Sequence, residues 1–526
     1  MKKIFLFFIL ITATCFSQAP TIQWQRSYGG STDDIAWSGF QTPDGGYIFG
    51  GGTNSRDGDV VGYPWTNTSS LVYDYWIVKT DANGVIQWQK IYGGVSTDLL
   101  TRIRPTSDGG YIVGGYSDAI SSNGDFDGWI LKLNASGDME WQRKLYGYNG
   151  DDYISDILQT SDGGYIVIGD SNSTNGLVND NHGSYDIRVF KLNSAGVIEW
   201  KKSYGGSGYD RVGNPQGCYS IIQTPDGGYI FTGRTNSNNG DVTINYGLSE
   251  VWVVKINSLG TIEWQRSYGG SNNEYGHSII RTSDGNYVVT AASSSTNFEV
   301  SGNHGGLDLW VFKINAITTD IIWQYCYGGT DSDALLGSNV TETADGSLLI
   351  CSQTFSTNGD ALGNHSYGGE DLWILKLNSL GIKQWHKCLG GRNWDNCYSA
   401  VPTNDGGYMV FGENSPDINT TGQDFDNNHG SYDAWLVKLN PETLGNTDFD
   451  TSQISLYPNP AKDYLNVQFS NTEVISKIVI TDMLGKKVAV QTGDLSNISV
   501  QNLAKGLYTM QVFTQDDVYQ SKFIKE

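Results

Sequence analysis

Positive charge is scarce in this chain: its 526 residues include 33 Lys and Arg against 56 Asp and Glu, a net of -23. A phosphate backbone needs a basic footprint, so nucleic acid is excluded as a partner. Cysteine is scarce as well. The six stand at 15, 218, 326, 351, 388 and 397, and none lie in a C-x-x-C pair. That spacing excludes a zinc site and a disulfide framework, leaving room for one adventitious bridge. Long apolar runs are confined to the start, MKKIFLFFILITATCFSQ. Two lysines, an apolar core and a small or polar close mark residues 1–17 as a signal peptide, with Gln18 as the new terminus. The core is too short for a membrane span, and no other segment is a candidate. Thr12-Ala13-Thr14 is a poor lipobox ahead of Cys15, which argues against a lipid anchor. No G-x-S-x-G elbow, H-E-x-x-H helix or P-loop occurs.

What is abundant is glycine (66) and aromatic residues (12%, with 16 Trp and 31 Tyr). Such a composition suits short strands and tight turns. The length favours a repeat array over a single core, and the repeats are visible. A Trp ahead of a YGG-like element recurs about every 60 residues, at 24, 88, 141, 200, 264, 323 and 385. A turn of the type T-x-D-G-G-Y recurs seven times, from TPDGGY at 42 to TNDGGY at 403. A third element recurs as DYWIVK, DGWILK, DIRVFK, EVWVVK, DLWVFK, DLWILK and DAWLVK.

Each unit reads as four strands. IAWSGFQT and YIFGGGT flank the DGG turn, and YWIVKT and VIQWQKIY flank DANG, giving two hairpins per unit. Four short antiparallel strands repeated around a ring make a seven-bladed β-propeller, an all-β fold with only short edges. TIQWQRSY at the start is a fourth strand with no first three before it, and the seventh unit has three strands and lacks its fourth. The N-terminal strand is therefore expected to complete the last blade and close the ring over residues 18–440. Thirteen of the sixteen tryptophans fill two repeated positions, which assigns them to blade packing.

Residues 441–453 are a polar linker, and the repeats stop there. The segment 454–526 holds seven Lys and seven Asp or Glu, so the acidity belongs to the ring. YPNPAKDYLNV, DMLGKKV, LAKGLYTMQV and a closing KFIKE resemble the type A C-terminal sorting domain of the Bacteroidota type IX secretion system. The resemblance implies a small β-sandwich, with Tyr457, Pro458, Asn459, Pro460, Gly485, Gly506, Tyr508 and Lys522 as its motif positions. It implies the type IX machinery as a partner, export across the outer membrane, removal of the domain, and release or anchoring at the cell surface. The ring is similar to the seven-bladed propellers such secreted proteins often carry, a likeness that brings no defined activity.

The first hairpin turn keeps constant length in every unit, and the second is nearly as fixed. The other loops vary, and variable loops on a rigid scaffold are where binding resides. From the YGG-like element to the turn Thr is twelve residues in five units, fourteen in unit 6 and eighteen in unit 4. The unit 4 insertion, GSGYDRVGNPQGCYS, offers Tyr209, Asp210, Arg211 and Asn214 at the channel mouth. The longest loop of the other kind is in unit 1 and offers Tyr63, Trp65 and Tyr73 as a stacking platform, unless they fold back on their own blade.

Other recurring groups read as structural. One His per blade (His182, His304, His365, His429) cannot converge on a single ion, so these are expected to brace turns. The acid before the third-strand Trp (Asp74, Asp127, Asp186, Asp308, Asp371, Asp433) is expected to cap a loop. The loops STNGD, SNNGD and GQDFDNNHG carry oxygen ligands suited to calcium in a structural role, without the EF-hand pattern; no cofactor is called for. Asp33, Asp34, Asp98, Asp151, Asp152, Asp210, Asp333 and Asp395 are expected to form a solvated rim around the channel. The chain therefore reads as an exported, monomeric, non-enzymatic module binding a glycan or a protein. An extracellular carbohydrate-active enzyme using two mouth carboxylates is the alternative, and a purely structural surface protein the third.

Overall fold

The computed structural model describes residues 19–63, 72–118, 124–145, 149–177, 180–212, 221–335, 337–365, 368–416, 424–425, 428–442, 454–469, 477–482, 487–492, 498–513 and 518–526. The signal peptide, Trp65, Asn214 and Gly485 lie outside them. One compact unit spans Ala19–Glu442, and a second contains the described residues from 454 onward.

The first unit is all-β. Strands Asp34–Gln41, Tyr47–Thr53, Asp74–Thr80 and Ile86–Tyr92 form an antiparallel sheet in chain order. The pattern repeats along the chain, and each sheet packs on those before and after it. The last sheet takes Asn396–Pro402, Tyr408–Asn414 and Asp433–Leu439 from the end of the unit and Ile22–Tyr28 from its beginning. That N-terminal strand runs antiparallel to its neighbour from Ile22 opposite Leu439 to Tyr28 opposite Ala434. Asp34–Gln41 of the first sheet in turn lies against Tyr408–Asn414 of the last. Among the described residues this unit holds seven such sheets, consistent with a propeller. In the fourth sheet the innermost strand is split into Asp210–Arg211 and Ile221–Gln223, flanking the inserted residues.

The repeated motifs divide the work of holding this arrangement. Second and third strands are buried almost throughout, which is why both faces carry Ile, Val, Phe and Trp, whereas fourth strands are only partly buried. The third-strand indole donates to the fourth-strand Gln of W-Q: Trp76 to Gln89 (3.0 Å), Trp252 to Gln265 (2.7 Å), and Trp435 to Gln25 at the joined ends (3.2 Å). The turn Asp of T-x-D-G-G-Y reaches the Lys that ends the D-x-W motif in every unit, from Asp44–Lys79 (2.8 Å) to Asp405–Lys438 (2.8 Å). The tyrosine of YGG reaches the next unit, Tyr28 Oη donating to Gly84 O (2.6 Å) and Tyr204 to Gly260 O (2.6 Å). Gly84 has φ +78°, and a side chain there would meet the Trp24 ring at 2.9 Å, so the turn must be glycine for the neighbouring indole to pack. One disulfide, Cys351–Cys397, joins the second strand of the sixth sheet to the first strand of the seventh, with Cα atoms 5.9 Å apart.

The C-terminal unit has a three-stranded and a four-stranded sheet closing on Leu465, Ile478, Ile480, Met510, Val512 and Phe523. Tyr457, Pro458, Asn459 and Pro460 are exposed. Asn459 still grips the final strand, donating to Lys522 O (3.1 Å) and accepting from Ile524 N (2.9 Å). Gly506 pairs with Lys525, and Tyr508 stacks on Phe523 at 5.6 Å while its hydroxyl donates to Ala504 O (2.8 Å).

Candidate functional site

The acidic residues expected at a solvated rim are buried instead. Asp34, Asp98, Asp210, Asp333 and Asp395 are at most 1% exposed and Asp152 is 6% exposed, leaving only Asp33 and Asp151 partly in solvent. Each buried acid begins a unit's innermost strand or, as with Asp333 and Asp395, stands ahead of it, and faces the acid that begins the previous unit's third strand: Asp34 with Asp433, Asp210 with Asp186, Glu274 with Glu250. The YGG glycine lies between them. A Cβ on Gly29 would sit 2.6 Å from an oxygen of Asp34 and 2.6 Å from one of Asp433, so only glycine admits both carboxylates.

The inner acid is anchored by its own unit. Asp210 accepts from Gly206 N (2.7 Å), Ser237 Oγ (2.7 Å) and Thr235 Oγ1. This corrects the placement of Asp210 as a ligand-facing group: it is one of seven equivalent junction acids. The third-strand acid takes loop donors with one oxygen only. His182, His304, His365 and His429 each give backbone N–H and ring Nδ1 to that oxygen, at 2.6–3.0 Å, so these histidines brace the loop. The other oxygen, on Asp74, Asp127, Asp186, Glu250, Asp308, Asp371 and Asp433 alike, has no hydrogen-bond partner. Burial first, then the facing like charge, pushes Asp34 and Asp127 up to about 7 and Glu250 up to about 8. These pairs are repeated, so they belong to the scaffold.

Function is better sought where the units disagree. One residue past the junction acid, the first and second strands pair Ile35 with Gly52, Leu99 with Tyr116, Tyr153 with Asp170, Arg211 with Arg234, Tyr275 with Ala292 and Asn396 with Glu413. No two pairs are alike, so packing of the repeat does not dictate them. Two residues further, most innermost strands bulge, and the extra residues are Trp37, Thr101, Ser155, His277 and Tyr398. A bulge re-aims its side chain. The residue before each third strand varies as well: Tyr73, Phe126, Tyr185, Ser249, Leu307, Glu370 and Tyr432.

These variable positions gather into one largely buried cluster at the starts of the inner strands, with Phe126 and Tyr153 only partly covered. An aromatic belt runs from Tyr398 and Trp37 (6.3 Å between ring centroids) to Tyr116, Phe126 and Tyr153, the last three within 5.8 Å of one another. At one end stand Arg211 and Arg234. Arg211 gives Nε to Asp170 (2.8 Å) and Nη1 to the Tyr209 hydroxyl (2.8 Å), and its guanidinium lies 4.5 Å from the Tyr185 ring. Arg234 lies 5.0 Å from the Tyr209 ring and 5.1 Å from that of Tyr275. Beside it, His277 is fully buried, and burial with the Arg234 charge pushes it down to about 3, so it is neutral. At the other end Glu413 accepts from Asn396 Nδ2 (2.9 Å) and Tyr398 Oη (2.8 Å). Glu370 is 0% exposed with neither oxygen hydrogen-bonded, and burial with Glu413 pushes it up to about 8.

Of the residues singled out from sequence, Tyr209 and Arg211 come together here. Tyr73 donates to Asp33 (2.6 Å) and Tyr63 lies under Arg56 at 3.3 Å, both contacts within their own unit. Sequence reasoning missed Tyr153, Asp170, Arg234, Glu370 and Glu413. Aligning the units residue by residue after the YGG element, rather than comparing loop lengths, carries the signal that finds them.

Residues 455–526 match the family described as the secretion system C-terminal sorting domain. No curated protein matches the chain. Among solved structures it is similar to the extracellular domain of BT4673 from B. thetaiotaomicron, at 13% identity and TM-score 0.40, covering 96% of this chain and 60% of that one. A protein of unknown function from Dyadobacter fermentans DSM 18053 is similar at 11% identity and TM-score 0.42, covering 81% and 100%. PorZ, a surface component of the type-IX secretion system of Porphyromonas gingivalis, is similar at 9% identity and TM-score 0.19, covering 95% and 100%. The C-terminal sorting domain implies export to the cell surface or beyond, and no helix among the described residues is long and apolar enough to cross a membrane.

Proposed function

We propose that the exported part of the chain is a seven-bladed β-propeller, closed by its N-terminal strand, that acts as a non-catalytic binding module for a glycan or a protein. The single observation that carries this reading is the convergence of the non-repeated positions. The scaffold repeats its packing residues, and the positions it leaves open gather into an aromatic belt with charged ends. The ligand would lie along the belt, over Tyr153 and Tyr185, with Tyr209 and Arg211 at its edge. The sorting domain delivers the monomer through the type IX machinery, and no cofactor is required.

Binding of the purified full chain to a broad panel of polysaccharides and surface proteins tests the reading, with Tyr153→Ala as the control variant. A ligand retained by wild type and lost by the variant at unchanged melting temperature supports it, and absence of any ligand refutes it. A second reading, hydrolysis of a bound glycan, draws on Glu370 and Glu413, two buried carboxylates that the repeat does not require. Release of new reducing ends, abolished by Glu370→Gln, would favour it.

A further inference from the structure

Resting on that binding-module reading, we infer that the ligand is an acidic sugar whose carboxylate is taken by Arg211 and Arg234 while its ring lies against the neighbouring tyrosines. The argument begins with a charge count. Asp170 is the one acid paired with either guanidinium among the described residues, and its oxygens are already used, Oδ2 by Arg211 Nε (2.8 Å) and Oδ1 by Val212 N (2.6 Å). Two guanidiniums thus face one carboxylate. Arg211 is 7% exposed and its Nη2 has no hydrogen-bond partner; Arg234 Nε is buried and has none either. His277, being neutral, adds no charge.

A surplus guanidinium in a largely buried setting costs free energy unless an anion arrives. It is odd to find one in a chain of net charge -23, whose surface should repel anions at long range. Aromatic faces around both arginines, 4.5–5.5 Å from the cations, relieve part of that cost and leave Arg211 Nη2 and Arg234 Nε without an acceptor. A planar carboxylate matches a guanidinium edge in two parallel bonds, and a single negative charge matches the surplus of one. The Tyr185 and Tyr209 rings, 5.1 Å apart and tilted against each other, set apolar ring area beside the charge, which suits a sugar ring better than an extended acidic peptide.

The test uses the full chain and oligogalacturonates, set against the same oligosaccharides with their carboxyls reduced to alcohols and against poly-glutamate. We expect oligogalacturonates to bind, reduction of the carboxyls to weaken binding by about tenfold or more, and salt to weaken it further. Arg234→Gln should cost a similar factor with the melting temperature within about 2 °C of wild type, and Arg234→Lys should recover part of it. Arg234 is chosen because Arg211 also holds Asp170. Equal binding of acidic and carboxyl-reduced sugars, or indifference to Arg234→Gln, overturns the acidic-sugar inference and leaves the binding module standing. Preference for poly-glutamate over every sugar also overturns it. No binding to any probe, with none in the broad panel, removes both.

Discussion

Glu250→Gln should make the unit Ala19–Glu442 more stable in alkali and change little in acid. Glu250 Oε1 accepts from Tyr246 N (3.0 Å), while Oε2 has no partner and faces Glu274. Burial and Glu274 raise the acid from 4.5 to about 8. An acid whose folded pKa lies above its unfolded one stabilises the fold fully below the unfolded value and loses that contribution as pH rises through the folded value. The window here is pH 4.5 to 8. At about 1.4 kcal/mol per pH unit the loss is at most about 5 kcal/mol by pH 9, and about 2–4 kcal/mol allowing for relaxation around the new charge. Glutamine keeps the Tyr246 bond, puts a donor toward Glu274 and has no proton to lose. For a unit of this size the variant should melt about 2–4 °C above wild type at pH 9 and within about 1 °C of it at pH 5.5. Thermal melts across that range measure it. A difference that does not change with pH would show that the pair is not buried as a like-charged pair.

Deleting residues 19–28 removes the strand that pairs with Asp433–Leu439, so the remainder should aggregate in size exclusion and be rescued by the missing peptide added in trans. Asp226→Asn leaves Lys255, 6% exposed, with Glu263 and the Ile256 carbonyl. It should cost about 1–2 kcal/mol in denaturant melts. Lys255 and the turn hold Asp226 down to about 2 despite partial burial, so the wild-type advantage is present above the ordinary carboxylate value and fades as pH falls toward 2. Asn459→Ala removes two bonds to the last strand of the sorting domain; export assays should find the chain retained in the periplasm.

The repeat motifs made most of the ring legible, because each encodes a contact made many times over. D-G-G with a distant Lys, W with a later Q, and a leading I-x-W-Q all have partners that can be named from spacing alone. The junction acids were misplaced because an Asp in a Gly-rich loop looks the same whether it faces water or another Asp; only the packing of neighbouring sheets decides. Asp210 shows the cost of that ambiguity, since its neighbour Arg211 does reach the variable cluster. Glu370 and Glu413 stand 43 residues apart on different sheets, and no local pattern joins them. His182 and its counterparts were easier, because partner and histidine lie four to six residues apart on one loop.

The pairing of Ile22–Tyr28 with Asp433–Leu439 fixes an order of events. The first strand to be synthesised is the last to find its neighbour, after some four hundred intervening residues have been made. Until then a growing or partly exported chain carries an unmatched strand at one end and a waiting slot at the other. Any interruption before Leu439 leaves both exposed to other chains. Pairing of these two strands thus reports that the whole unit has been delivered, and that report becomes available just before the sorting segment that follows it in sequence.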